Sequence, residues 1–174
     1  MPVSETLQEI HFSFAVLTVS DKGSQGERQD TSGANLKDIF TKLGYRLAAY
    51  VIVPDQSVAI ENTLVKWVDQ LGVDLIITTG GTGVSPSDVT PETTQKVIDK
   101  EIPGIGEAMR QASLLKTPNA VLSRGIAGIR KESLIINLPG SKKAAAENIE
   151  SVIAAIPHAL EKIKGSQVDC GISS

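Results

Sequence analysis

The sequence predicts an α/β domain: a mostly parallel sheet covered by helices on both faces, in three α/β/α layers. Three observations lead there. Apolar, β-rich runs at 12–19, 45–53 and 73–79 alternate with stretches whose apolar residues recur at helical spacing. Each run empties into a polar loop marked by glycine or proline. Those loops follow the carboxyl ends of the strands, where open α/β sheets place their ligands.

The elements follow in order. Phe12 to Val19 is a strand that ends in Ser20-Asp21-Lys22-Gly23. Ser32 is placed to cap a helix with Leu36, Ile39, Phe40 and Leu43 on its apolar face and Gly44 as its stop. Tyr45 to Val53 is a second strand, closed by Pro54-Asp55. Ile60, Leu64, Trp67, Val68 and Leu71 mark a helix that Gly72 ends. Val73 to Thr79 is a third strand and runs into Gly80-Gly81-Thr82-Gly83. Thr90 as N-cap, Pro91 at the first helical position and Glu92 in the first turn start another helix. Ile105 to Lys116 is helical, with Pro118 marking its end. Ala120 to Leu122 and Leu134 to Leu138 are expected to pair as short strands across a glycine-rich connection. Ala144 to Lys164 carries Ile149, Ile153, Ile156, Leu160 and Ile163 on one stripe, with Pro157 kinking or splitting the helix.

Composition narrows the function classes. At 174 residues, 41% hydrophobic and 21% charged, the chain is expected to be one globular domain over 11–165, with loose ends at 1–10 and 166–174. A net charge of -3 without a basic stripe argues against nucleic-acid binding. Cys170 is the only cysteine, so neither a disulfide framework nor a thiolate metal site is expected. No apolar run reaches membrane-spanning length and no signal-peptide pattern opens the chain, so the expected location is the reducing, soluble cytoplasm.

Four loops then share one rim: Ser20 to Gly23, Pro54-Asp55, Gly80 to Gly83 and Pro139-Gly140-Ser141. The glycine turn is longer than chain reversal needs and suits an anion cradle, because glycine lets backbone N–H groups approach a phosphate. It is not a P-loop, since no Lys-Ser or Lys-Thr follows, and Pro86 rules out a dinucleotide fingerprint. Asp55 is equally readable as a helix cap and Asp88 as a turn aspartate. Their shared rim makes both candidate oxygen ligands for Mg²⁺. Asp21 has the same ambiguity. Pro139-Gly140-Ser141 caps the last helix or binds an anion there. Lys142 and Lys143 read as a solvated pair on the final helix, one of which could reach a phosphate, and His11 and His158 lie outside these loops.

Seven motifs, taken together, carry a resemblance. They are Thr-Val-Ser-Asp at 18–21, Asp-Thr-Ser-Gly at 30–33, Val-Pro-Asp at 53–55, Thr-Thr-Gly-Gly-Thr-Gly at 78–83, Ser-Asp-Val-Thr-Pro-Glu at 87–92, Leu-Ser-Arg-Gly-Ile-Ala-Gly at 122–128 and Leu-Pro-Gly-Ser at 138–141. In this order the chain resembles the molybdopterin-binding MoaB/MogA family, and within it the MogA-type adenylyltransferases and the equivalent domain of fused proteins such as gephyrin. The resemblance implies transfer of AMP from ATP to the molybdopterin phosphate with release of pyrophosphate. It implies Asp55 and Asp88 as catalytic residues, with Mg²⁺ held by one or both. It implies Ser20, Asp21, Gly80, Gly81, Thr82 and Gly83 around the nucleotide phosphates. Ser123, Pro139, Gly140 and Ser141 match positions around the pterin. A homotrimer and hand-over to a molybdenum-insertion protein follow from the same resemblance. Two alternatives stand beside it: a MoaB-like protein that binds pterin without turnover, and an assembly module with a vestigial site. Two departures are visible: Ser87 stands where many relatives have Arg, and Ser141 where some fused relatives have Asn.

Overall fold

A computed structural model describes residues 12–166. His11, Cys170 and nearly all of both predicted loose ends lie outside them. The elements run β1 (Ser13–Val19), α1 (Asp21–Ser24), α2 (Thr31–Lys42), β2 (Arg46–Val53), α3 (Ser57–Asp69), β3 (Leu75–Thr79), α4 (Thr90–Val97), β4 (Lys100–Glu101), α5 (Pro103–Leu114), β5 (Ala127–Arg130), β6 (Ser133–Leu138), α6 (Lys142–Val152) and α7 (Ile156–Ile163). The strands form one sheet in the order β2-β1-β3-β6-β5-β4. The first four are mutually parallel, and β6, β5 and β4 pair antiparallel. The predicted fold class is therefore the one observed.

Every residue of β1, β3 and β6 is buried, because helices cover both faces of the sheet. Alternation sorts the side chains. Phe14 and Val16 point to a core shared with Leu36, Phe40, Ile149 and Leu160, whereas Ala15 and Leu17 join Ile60, Leu64, Trp67 and Val68 on the opposite face. Helices α2, α6 and α7 thus cover one face and α3 the other. Each buried Leu, Ile or Phe contributes about 1.5–3 kcal/mol. Among the described residues no helix is long and apolar enough to cross a membrane.

Several elements differ from expectation, among them the short helix α1 in the loop after β1 and the two-residue strand β4. Ala120 to Leu122 lies in a 3-10 turn over Pro118–Leu122 that Thr117 caps. The strand beside β6 is instead the glycine-bearing Ala127–Arg130. Gly128 permits that pairing, since a Cβ there would lie 2.5 Å from Ile98 Cδ1 and 2.7 Å from the Lys100 carbonyl oxygen. Helix α2 is capped by Asp30, whose carboxylate accepts from Gly33 N at 2.7 Å, and not by Ser32. Thr90 is the first residue of α4, and its hydroxyl donates to the Gly80 carbonyl at 3.0 Å. The last helical stretch splits at a 3-10 turn over Ile153–Ala155, with Pro157 in the first turn of α7, as its missing N–H requires.

One latch lies at the amino ends of the strands, away from the loops. Asp74 accepts from Ser13 N at 2.7 Å and Ser13 Oγ at 2.9 Å, and pairs with Lys164 Nζ at 2.6 Å. Burial alone would push its carboxyl up, but the Lys164 and Ser13 donors outweigh it and hold it below the usual carboxylate range. A depressed carboxylate stabilises the fold above its unfolded value, and that stability is lost as pH falls through the folded one. Asp74→Asn should cost about 1–3 kcal/mol at neutral pH. Denaturant titrations of both proteins should show the gap narrowing once the pH falls below about 4.

Candidate active site

The carboxyl ends of β2, β1, β3 and β6 open onto a cleft of about 720 Å³. Six of the predicted residues line it together: Ser20, Asp55, Gly80, Gly81, Gly140 and Ser141. They come from loops far apart in sequence, and the parallel register of the four strands brings the loops level.

The floor is the glycine turn. Gly80 has φ +101°, and a Cβ there would sit 2.2 Å from the Val19 carbonyl oxygen. Gly81 has φ +65°, and its Cβ would meet Thr90 Oγ1 at 2.4 Å. Only glycine tolerates both positions. Gly80 N donates to the Leu138 carbonyl at 3.1 Å, so Gly80 serves close approach. Among the described residues the N–H groups of Gly81, Thr82 and Gly83 donate to no other residue, which leaves them for an anion. Thr79 Oγ1 donates to the Pro139 carbonyl at 2.7 Å, so Ser32 Oγ, 2.9 Å away, donates to Thr79. This chain of hydroxyls ties α2 and the Pro139 loop to the turn.

Asp55 and Asp21 clasp each other across two strand ends. Asp21 N donates to Asp55 Oδ2 and Asp55 N to Asp21 Oδ1, both at 2.9 Å. Burial, followed by the negative charges of Asp21 and Asp88, pushes the Asp55 carboxyl up against the backbone donors that favour its charge. Asp88 lies beside Gly83 and accepts from Ser85 N through Oδ2 at 2.9 Å. Each of Asp55 and Asp88 thus spends one oxygen on a backbone N–H and keeps the other. Among the described residues no cluster of three or more His, Cys, Asp or Glu is arranged to hold an ion unaided. Two carboxylates that each keep one oxygen free could serve Mg²⁺ that arrives bound to phosphates, the form in which it uses few protein ligands.

The predicted pterin residues divide. Gly140 and Ser141 face the main cleft, and Ser141 caps α6 by accepting from Ala144 N at 3.1 Å. Ser123 and Pro139 line a neighbouring depression of about 220 Å³ between α5 and α6. Arg124, which follows Ser123, clamps the loop after the glycine turn. Its Nε donates to the Gly83 carbonyl at 2.6 Å, its Nη2 to the Asp88 carbonyl at 2.8 Å, and it pairs with Glu92. Arg124→Ala should lower kcat about tenfold, the effect of losing about 1.4 kcal/mol of positioning, with a stability loss of about 1–3 kcal/mol. Faster hydrogen exchange of the 82–89 amides would report the loosened loop.

Sequence reasoning missed the role of Asp30. Its Oδ2 accepts from Thr18 Oγ1 and, at 2.6 Å, from the Tyr50 hydroxyl, while Oδ1 caps α2. Burial and then the Asp30 carboxylate push the Tyr50 phenol upward, and Lys37 Nζ lies 3.8 Å from the ring centroid. A Cβ on Gly33 would lie 2.1 Å from Asp30 Oδ2, so Asp30-x-x-Gly33 is one unit. The available signal was that pattern, which reads only as a cap. Asn137 was missed too. Fully buried, it donates to Thr78 Oγ1 at 2.9 Å and Thr94 Oγ1 at 3.0 Å, bonding β6 to β3 and α4 beneath the cleft.

Comparison with known proteins adds to this geometry. Residues 15–158 match the family described as probable molybdopterin binding domain. The molybdopterin adenylyltransferase of Helicobacter pylori is 44% identical over 162 residues, which span 92% of this chain and 91% of that protein. The molybdopterin adenylyltransferase of Haemophilus influenzae is 41% identical over 169 residues, spanning 88% of this chain and 85% of the relative. Among solved structures, the molybdopterin biosynthesis enzyme MoaB from Thermus thermophilus is 48% identical with a TM-score of 0.84, covering 89% of this chain and 98% of its own.

Proposed function

The chain belongs to the molybdopterin-binding domain family, and from that premise we propose that it is a molybdopterin adenylyltransferase. The observation that carries this reading is the convergence of Asp55, Ser20, Gly80, Gly81, Gly140 and Ser141 on one cleft, at the glycine turn whose Gly81 N–H has no partner among the described residues. The terminal phosphate of molybdopterin attacks the α-phosphorus of ATP. A new P–O bond forms there, the bond to the β-phosphate bridging oxygen breaks, and pyrophosphate leaves with the electron pair.

Such an in-line displacement needs positioning and charge neutralisation more than covalent help. Gly81, Thr82 and Gly83 donate N–H groups to the nucleotide phosphates. Ser20 and Asp21 hold the β1 loop against Asp55, and Arg124 holds Asp88 in place. Asp55 and Asp88 would carry Mg²⁺, which when bound neutralises the charge that builds on the departing pyrophosphate. A homotrimer, a cytoplasmic location and hand-over of the adenylylated pterin to a molybdenum-insertion protein are parts of the same proposal.

A second reading, pterin binding without turnover, draws on Ser87, an exposed uncharged residue beside Asp88 where the family resemblance leads one to expect an arginine. Pyrophosphate release on mixing the protein with molybdopterin and Mg²⁺-ATP tests both. Turnover is expected; bound pterin without pyrophosphate would favour the second reading.

A further inference from the structure

The cleft is electrically lopsided. Its lining includes two carboxylates, Asp30 and Asp55, and two cations, Arg28 and Lys142. Asp30 is spent on Thr18, Tyr50 and Gly33 N, so it offers little to a ligand. That leaves Asp55 as the available negative charge. Neither Arg28 nor Lys142 forms an ion pair with another described residue.

The topology separates the charges. Asp55 follows β2 at one edge of the sheet and leads into α3, which covers one face. Arg28 lies just before α2, and Lys142 is the first residue of α6. Those two helices pack together on the other face. The strand ends of β1 and β3, with Gly80 and Gly81, lie between. Asp30 fixes the backbone two residues beyond Arg28, and Ser141 fixes the start of α6, so both cations leave anchored positions.

From this arrangement we infer that Arg28 and Lys142 form the binding subsite for the attacking phosphate monoester of the pterin substrate. The inference rests on the adenylyl-transfer reading. An in-line displacement puts the attacking oxygen and the leaving group on opposite sides of the α-phosphorus. With Asp55 at the pyrophosphate end, the monoester dianion lies at the other end. There a guanidinium and an ammonium match a dianion by charge, and the guanidinium by its fork of donors as well.

Arg28→Ala, Lys142→Ala and the double variant should be assayed with molybdopterin and ATP varied separately. Each single variant should raise KM for molybdopterin about ten- to a hundredfold, the range for losing one charge-assisted hydrogen bond. KM for ATP should stay within about twofold. Arg28→Lys should recover part of the loss. Inorganic phosphate should compete with molybdopterin in the wild type, and the double variant should lose that inhibition. A rise in KM for ATP instead, or no change in either KM, overturns the assignment. If the wild type releases no pyrophosphate, adenylyl transfer fails by itself, and calorimetry with inorganic phosphate decides the subsite. Binding lost in the double variant upholds it, and equal binding overturns it.

Discussion

Gly80→Ala is expected to be the most damaging single-methyl change in the molecule. The added Cβ would lie 2.2 Å from the Val19 carbonyl oxygen, which is backbone and has nowhere to rotate. The residue also sits at φ +101°, where side chains are strained. Strain and overpacking together should cost about 2–5 kcal/mol, a large share of the ~5–15 kcal/mol that holds an ordinary domain. Any relief must move Gly80 off β1, breaking the Gly80 N to Leu138 bond and the Thr90 hydroxyl bond to the Gly80 carbonyl. Turnover should disappear with the cleft floor. Gly26→Ala is the control, since it too has positive φ, at +76°, but nothing lies within 4 Å of its Cβ. It should pay only the backbone cost, about 1–2 kcal/mol, and keep its activity. A thermal melt of the two variants side by side checks the difference.

Asp55→Asn should give the opposite profile, an intact fold without catalysis. Burial and the charges of Asp21 and Asp88 raise the Asp55 carboxyl above its ordinary range. For a raised carboxyl the sign is that ionisation is disfavoured in the folded chain, so its contribution to stability is lost as pH rises through the folded value. Near neutral pH the charge therefore weakens the fold, and Asn removes it while keeping an oxygen for Asp21 N. Stability should be unchanged or higher. If the carboxylate supplies about 3 kcal/mol of charge stabilisation through bound metal, kcat should fall about a hundredfold or more. Carboxyl-carbon NMR gives an independent check. In Asp88→Asn one of the three causes that raise Asp55 is gone, so its titration should move to lower pH.

Much of this was legible in the sequence for a physical reason. Strands β1, β3 and β6 are buried on both faces, so their runs are mostly apolar with a few buried hydroxyls and Asn137 among them, and the residues ending them turn out into loops. Gly80 and Ser141 could be placed on one rim from that rule, and Asp55 joined them because it follows β2, a strand parallel to the others although at the exposed edge of the sheet. The edge of the sheet was harder to read. Ala127–Arg130 is short and contains Gly128, and its pairing depends on room beside Ile98, which local propensity does not encode. Ala120 to Leu122 is more apolar and looked like the better strand, yet Pro118 and the Thr117 cap turn it into a 3-10 segment. Asp30 shows the same limit at the site. Its neighbours in sequence explain the cap, whereas Thr18 and Tyr50, which give it a place in the cleft, lie on two different strands. Lys142 read as solvated because Arg28, the other cation lining the cleft, belongs to a loop more than a hundred residues earlier.

Adenylyl transfer at this cleft is proposed to depend on Asp55, which lines it, and on Asp88, which lies beyond the lining beside Gly83. Pyrophosphate release from molybdopterin and Mg²⁺-ATP, measured for wild type and Asp88→Asn with molybdopterin binding followed in parallel, tests it most directly. Steady release by the wild type is predicted, with release abolished and binding retained in Asp88→Asn. Equal release from both proteins would contradict the account.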